Sequence, residues 1–359
     1  MSFRATIGLE VHVQLNTRSK MFCGCGTSYG AEPNSRVCPV CLGYPGAMPT
    51  MNERAVRLTV TTGLMVGSRI NTRSTFDRKS YFYPDMPKNY QISQYDKPLC
   101  VGGGVAIEAG DGSARTIRLR RIHLEEDVAK STHFESTSGV DFNRAGVPLM
   151  EIVTEPDLHS PAEAHAFLSA LKQIVQYAGV SECNLEEGNV RCDVNCSVAP
   201  EGHEALGTKT EIKNMNTFKG VLNALEHEIG RQIDAIETGE RIMQETRRWD
   251  VDAGVTLPMR TKEEEHDYRY FPEPDLVPVV LTEEMLEAWR AELPELPRER
   301  VRRMVEEYGI PEYDAQVQAA DRELADFFEQ AARGSANPKG VSNWMMTDML
   351  RLLSYKQTS

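Results

Sequence analysis

From Ile7 to Leu15 apolar and polar residues alternate without a break. Ile7, Leu9, Val11, Val13 and Leu15 share one phase, and Gly8, Glu10, His12 and Gln14 share the other. A period of two predicts a strand buried on one face, with Glu10 and His12 side by side on the opposite face. A carboxylate and an imidazole held that way suit metal ligation or an acid/base pair. The same period recurs downstream. Over Ile117–Val128 it turns Ile122 and Leu124 inward and His123 and Glu125 outward. Over Asn189–Val198 it sets Val190, Cys192, Val194, Cys196 and Val198 against Arg191, Asp193, Asn195 and Ser197. Over Gly207–Lys219 it places Lys209, Glu211 and Lys213 on one face. Glu151 interrupts the apolar run Val147–Val153, where a carboxylate needs a partner.

Longer periods predict helices. One runs over Glu53–Gly67 behind an Asn52 cap, with Val56, Val60, Leu64 and Met65 on one side. A second starts at Ser160-Pro161, with Glu163 at the capping-box position, and stops at Gly179. A third, Phe218–Thr238, carries Val221, Leu222, Leu225, Ile229, Ile233 and Ile236 as one stripe and ends at Gly239. From Thr282 onward only helical patterns remain: Glu283–Glu292, Arg298–Tyr308, Tyr313–Ala332 and Ser342–Tyr355. The expected fold is therefore α+β. Residues 1–281 form an antiparallel sheet with helices on one face and the other face open, followed by an all-α helical domain over 282–359.

The stretch Phe76–Gln91 fits neither period. Pro84 and Pro87 exclude a regular helix. Arg78, Lys79 and Lys88 interleave with Tyr81, Tyr83 and Tyr90, which suits a pocket for phosphate and a base or sugar ring, and equally a tyrosine-rich loop packed on the sheet. Gly102-Gly103-Gly104 reads as a turn; neither a dinucleotide fingerprint nor a P-loop occurs.

Composition narrows the picture. A chain of 359 residues with 40% hydrophobic content has room for two or three domains. It lacks an apolar run long enough for a membrane span, and Met1–Arg4 does not begin a secretory segment, so a cytoplasmic location is expected. The net charge of −13 argues against wrapping nucleic acid over a large surface. Basic clusters around Arg69–Lys97 and Arg115–Arg121 leave the N-terminal region locally positive. Of eight cysteines, four form Cys23-Gly-Cys25 and Cys38-Pro-Val-Cys41. Two close pairs in a reducing compartment predict one tetrahedral zinc, carried on a loop over 21–44. Four thiolates leave no open position, so its role is structural.

Glu10, Glu125, Glu151 and Asp193 come from four different elements, with Glu211 a further acid and His12 joining the first. Oxygen-rich sites with one imidazole suit Mg²⁺ or Mn²⁺. Arg78, Lys79, Lys88, Arg191, Lys209 and Lys213 supply cations. Carboxylates, divalent ions and basic residues together predict phosphoryl transfer.

Several blocks together resemble one family. They are Ile7–Leu15, the cysteine quartet continuing through Pro49, Arg78-Lys79-Ser80-Tyr81 through Lys88, and His123-Leu124-Glu125-Glu126-Asp127. Asp141–Glu151, Glu187–Asp193 and Thr210–Asn216 complete the set. The chain resembles the B subunit of the aspartyl/glutamyl-tRNA(Asn/Gln) amidotransferase. The resemblance implies a core similar to glutamine synthetase. It also implies ATP-dependent conversion of Glu-tRNA(Gln) to Gln-tRNA(Gln), and of Asp-tRNA(Asn) to Asn-tRNA(Asn). Phosphorylation of the side-chain carboxylate is followed by attack of ammonia. Implied partners are an amidase A subunit that supplies the ammonia, a small C subunit completing a heterotrimer, and the misacylated tRNA. A small helical tail domain, usual in the family, is expected to be lacking from this sequence. As implied roles, Glu10, His12, Glu125, Glu151 and Asp193 carry Mg²⁺. Glu10, His12, Glu125, Glu151 and Lys79 are catalytic. Arg78, Tyr81, Lys88, Arg191, Lys209, Glu211, Lys213, Asn214 and Asn216 meet ATP or the aminoacyl end. Two other readings compete: a zinc-bearing scaffold that does no chemistry, and an ATP-dependent ligase acting on a free amino acid.

Overall fold

The computed structural model describes residues 2–110, 112–215, 217–261 and 268–356. Its centre is one large sheet. Across it the strands run in the order Val255–Thr261, Glu245–Asp250, Thr210–Met215, Val190–Pro200, Phe3–Gln14, Pro148–Thr154, Ala114–Glu126, Cys100–Val101 and Arg69–Ile70. Gly104–Glu108 pairs with the first half of Ala114–Glu126. Every neighbouring pair is antiparallel except Thr210–Met215 with Glu245–Asp250, whose connection is the helix Phe218–Thr238. That crossover is what a parallel pair needs. The fold is thus a mixed α+β one, a mostly antiparallel sheet followed by C-terminal helices.

The alternating strand stands at the centre of the sheet. Ile7, Leu9, Val11, Val13 and Leu15 are all buried beneath the helices. Helix Glu53–Met65 begins where Asn52 accepts a hydrogen bond from the Ala55 N–H, and helix Pro161–Tyr177 where Ser160 accepts from the Glu163 N–H. The Glu163 carboxylate accepts from the His159 N–H and pairs with Arg115, so the box closes one residue early. Helix Phe218–Thr238 ends at Gly239 with φ +77°, a conformation that glycine adopts freely.

Four expectations change. The sheet face opposite the helices is only partly open, because strands Asp77–Ser80, Tyr90–Ser93 and Phe271–Pro272 form a small second sheet that packs against Ala114–Glu126. His123 and Glu125 therefore point outward from the core yet are each only 2% exposed. Ile117, Leu119, Ile122 and Leu124 all reach the core because the register slips opposite Val153/Thr154, so a bulge shifts the phase. On helix Phe218–Thr238, Val221 and Leu225 are buried but Leu222, Ile229, Ile233 and Ile236 are only half-buried. The innermost positions belong instead to Ala224, Glu228, Gln232 and Ala235, because Arg231 and Thr256 satisfy Glu228 and make a polar contact with the sheet possible. Finally, Tyr313–Ala332 is two helices, Glu312–Gln318 and Arg322–Arg333; Asp321 accepts from the Leu324 N–H and starts the second.

Leu286, with Met285 and Trp289, packs on the large core, while a second core gathers Met304, Ile310, Ala315, Ala319, Phe328, Ala332 and Met345. Tyr177 joins the two units: its hydroxyl donates to the Ala319 carbonyl, and Arg322 donates to the Tyr177 carbonyl.

Candidate active site

The polar side of the sheet floors a cavity of about 960 Å³. Its walls come from Lys79 and Tyr81, from Gln91 to Asp96, and from Tyr268 and Tyr270. The floor is set by strand register. His12 lies opposite Glu151 on one neighbour and opposite Arg191 on the other, and Glu10 lies opposite Asp193. Residues far apart in the chain thus share one face by pairing alone.

His12, Glu125 and Glu151 converge. His12 Nε2 lies 3.1 Å from Glu125 Oε1 and 3.2 Å from Glu151 Oε2, and all three ligand atoms fall within 4.8 Å of one another. Burial works against charge on His12, but hydrogen bonds to Glu125 and Glu151 outweigh it and hold its pKa well above the ordinary value. Burial also opposes ionisation of Glu151, yet His123 and His12 keep its carboxyl well below the usual range. Two carboxylates and one imidazole nitrogen so placed fit a divalent cation. Glu10 sits beside this cluster and accepts from Asn195 Nδ2 at 2.9 Å. Burial, then the charges of Glu151, Asp193 and Glu211, push its pKa up. Such crowding of acids is what a bound cation relieves.

Cations border the acids. Lys213 Nζ lies 2.9 Å from Asp193 and 3.5 Å from Glu211. Arg191 reaches Asp127 at 2.8 Å. Lys79 lies over the Tyr268 ring at 4.7 Å. Burial opposes its charge, but Tyr270, Glu125 and Glu151 keep its pKa above the ordinary value. Lys209 and Tyr81 also line the cavity.

Other sequence-derived candidates lie elsewhere. Arg78 grips Glu273 with two hydrogen bonds of 2.7 and 3.0 Å and reaches Asp275, outside the cavity. Lys88 binds Glu126 at 2.6 Å in a separate 210 Å³ cavity beside the cysteine loop. Asn216 lies outside the described residues, as does the side chain of Asn214. The structure also adds residues. His123 Nε2 lies 3.6 Å from Glu151, and its buried Nδ1 makes no hydrogen bond among the described residues. Tyr95 and Tyr270 stack with centroids 4.4 Å apart. The Ile122/Leu124 alternation already put His123 on this face; nothing local in the sequence brings Tyr268 and Tyr270 to it.

The four cysteines form a second cluster, their sulfurs within 4.8 Å of one another, with Cys38 and Cys41 at 3.9 Å. A tetrahedral zinc with bonds of about 2.3 Å holds sulfurs about 3.8 Å apart. The Cys23 thiol, hydrogen-bonded to Cys41, pulls the Cys41 pKa down, and the same bond pushes Cys23 up. Four sulfurs this close cannot all ionise without a cation, so the donor set fits a metal.

Comparison with known proteins decides the family. The profile of the GatB/GatE catalytic domain matches residues 5–287, a span that contains every cavity residue named above. The chain belongs to the GatB/GatE family. It is 54% identical over 370 residues to the B subunit of the aspartyl/glutamyl-tRNA(Asn/Gln) amidotransferase of Methylacidiphilum infernorum, covering 100% of this chain and 76% of that protein. It is 55% identical over 355 residues to the corresponding protein of Thermodesulfovibrio yellowstonii, covering 99% and 74%. That of Carboxydothermus hydrogenoformans is 54% identical over 357 residues, covering 98% and 74%. The chain therefore spans about three quarters of these relatives' length. No helix among the described residues is long and apolar enough to cross a membrane.

Proposed function

We propose that this GatB/GatE chain is the B subunit of a glutamine-dependent carbon–nitrogen ligase. In this reading it amidates the side-chain carboxylate of Glu-tRNA(Gln) or Asp-tRNA(Asn), the activity in its relatives' names. The observation that carries the chemistry is convergence of His12, Glu125 and Glu151 on the floor of a large cation-lined cavity.

The residues divide the work by charge. His12, Glu125 and Glu151, with Glu10 and Asp193 adjacent, hold Mg²⁺. When bound, Mg²⁺ neutralises the ATP phosphates and polarises the γ-phosphorus. Lys79, Arg191, Lys209 and Lys213 bind the phosphates and the aminoacyl end, beside Tyr81 in the cavity wall. A side-chain carboxylate oxygen of the aminoacyl group attacks the γ-phosphorus, and ADP leaves. Ammonia then attacks the acyl carbon, the C–O bond to phosphate breaks, and the phosphate leaves with one ammonia proton, giving the amide. Preorganised cations favour both steps, since negative charge gathers at one place. Arg78 and Lys88, held in ion pairs away from the floor, act through the surrounding loops.

The finer assignments follow from this reading. The sheet unit is a glutamine-synthetase-like cradle over 1–281, and 282–359 form a helical unit whose first helix leans on the cradle. The four cysteines hold structural Zn²⁺. The assembly is a cytoplasmic heterotrimer with an amidase subunit and a small third subunit. The test is reconstitution with an amidase subunit, glutamine, Mg-ATP and misacylated tRNA, at low salt where phosphate contacts are strongest. Amide formed only with ATP and aminoacyl-tRNA supports the proposal. ADP release driven by free glutamate or aspartate, or no ATP turnover with the amidase bound, overturns it.

A further inference from the structure

Lys20 is a lysine only 1% exposed, and burying an ammonium demands a partner. Among the described residues it forms no ion pair with a carboxylate. Its Nζ lies 3.1 Å from the Phe142 carbonyl oxygen and 3.5 Å from Cys41 Sγ. We infer that Lys20 is a positioning residue of the four-cysteine metal centre, donating an N–H···S hydrogen bond to Cys41 and setting a positive charge against the thiolates. The inference rests on the cysteines holding a metal.

The charges need each other. A divalent ion with four thiolates carries a net charge of −2, which is costly in a half-buried loop, and the ammonium halves it. The lysine is also held in place. Its N–H donates to the Cys25 carbonyl at 2.9 Å, inside the first cysteine pair. Asn52 Nδ2 donates to the carbonyls of Ser19 and Lys20 at 3.0 and 3.3 Å. Its side-chain stem runs past Gly146, where an added Cβ would lie 3.5 Å from Lys20 Cδ and 3.6 Å from Cys41 Cβ. The Met21 N–H donates to the Gly146 carbonyl, and the Gly146 N–H donates to the Asp127 carbonyl. Lys20 thus ties the metal loop to the turn at 142–147, which abuts the acidic run Glu125–Asp127. Groups outside the ligand shell tune a metal by such hydrogen bonds.

The experiment compares the full chain with Lys20→Met, nearly isosteric and uncharged, and Lys20→Arg. Zinc transfer to a chromophoric chelator should quicken roughly 10–100-fold in Lys20→Met and stay near native in Lys20→Arg. In the cobalt-loaded proteins the thiolate-to-metal charge-transfer bands should move in Lys20→Met alone. Native release and unmoved bands in Lys20→Met overturn the inference. If Lys20→Met does not fold, the native protein decides. The Lys20 ammonium resonance in lysine-¹⁵N protein should shift between the zinc and cobalt forms, and an unshifted resonance overturns it. A native chain that takes up neither metal removes the metal reading and this inference with it.

Discussion

His12 and Glu151 face one another across neighbouring antiparallel strands, with His12 Nε2 3.2 Å from Glu151 Oε2. Glu125 lies opposite Leu149 on the next strand and closes the triangle at 3.1 Å from the same nitrogen. The cluster is thus a product of pairing register, held by backbone bonds rather than by loops.

Glu151→Gln keeps the shape of the side chain and removes its charge. The rate of ATP-dependent amide formation should fall on the order of 10²–10³-fold, with the circular dichroism unchanged. Near-native turnover would remove Glu151 from the ion-holding set.

The cysteine cluster should act on stability. Cys38→Ser takes away one of four clustered sulfurs, so bound zinc should drop and the melting temperature should fall by about 5 °C or more. Full zinc content with native melting would refute a structural metal there.

Glu228 gives a pH dependence. It is 0% exposed, and burial alone would raise its pKa, but Arg231, Gln232 and Thr256 lower it below 4.5. A carboxyl depressed in the folded state adds stability that is present above pH 4.5 and lost as the pH falls through the folded value. Glu228→Gln should flatten that acid limb of unfolding. It should also destabilise at neutral pH by about 3 kcal/mol, because Arg231 loses the carboxylate it is hydrogen-bonded to and the buried Arg247 is left with Glu245 alone. An unchanged acid limb in urea titrations across pH would refute the assignment.

Gly63 lies in the last turn of helix Glu53–Met65, and within a helix alanine normally stabilises over glycine by about 1 kcal/mol. Here an added Cβ would lie 2.5 Å from Cys100 Sγ and 3.0 Å from Ile70 Cδ1. Gly63→Ala should therefore destabilise by about 1–3 kcal/mol, and adding Cys100→Ala should restore part of the loss. A stabilised Gly63→Ala in chemical denaturation would show that the helix shifts freely.

The local features are legible in the order of residues alone. Alternation over Ile7–Leu15 defines a buried face because a strand has only two faces. Asn52, Ser160 and Gly239 mark helix ends because caps satisfy backbone groups within a few residues. The cysteine pairs stand out because one ion needs all four sulfurs close together. The resemblance carried by the motif blocks reached the family that the catalytic-domain match shows.

Tertiary pairing decided the rest. Whether His12, Glu125 and Glu151 meet depends on the register of three strands drawn from residues 3–14, 114–126 and 148–154. Arg78 and Lys79 are adjacent in sequence, yet one pairs with Glu273 outside the cavity and the other faces the acids, because neighbours on a strand point to opposite sides. Tyr268 and Tyr270 carry no local signal and reach the site only because the chain returns to pair Phe271 with Arg78. Lys20 looks like an ordinary surface lysine until the turn at Gly146 closes over it. Periodicity and capping act through neighbours in the chain, so they can be read in order; charge pairing acts through space and needs the fold.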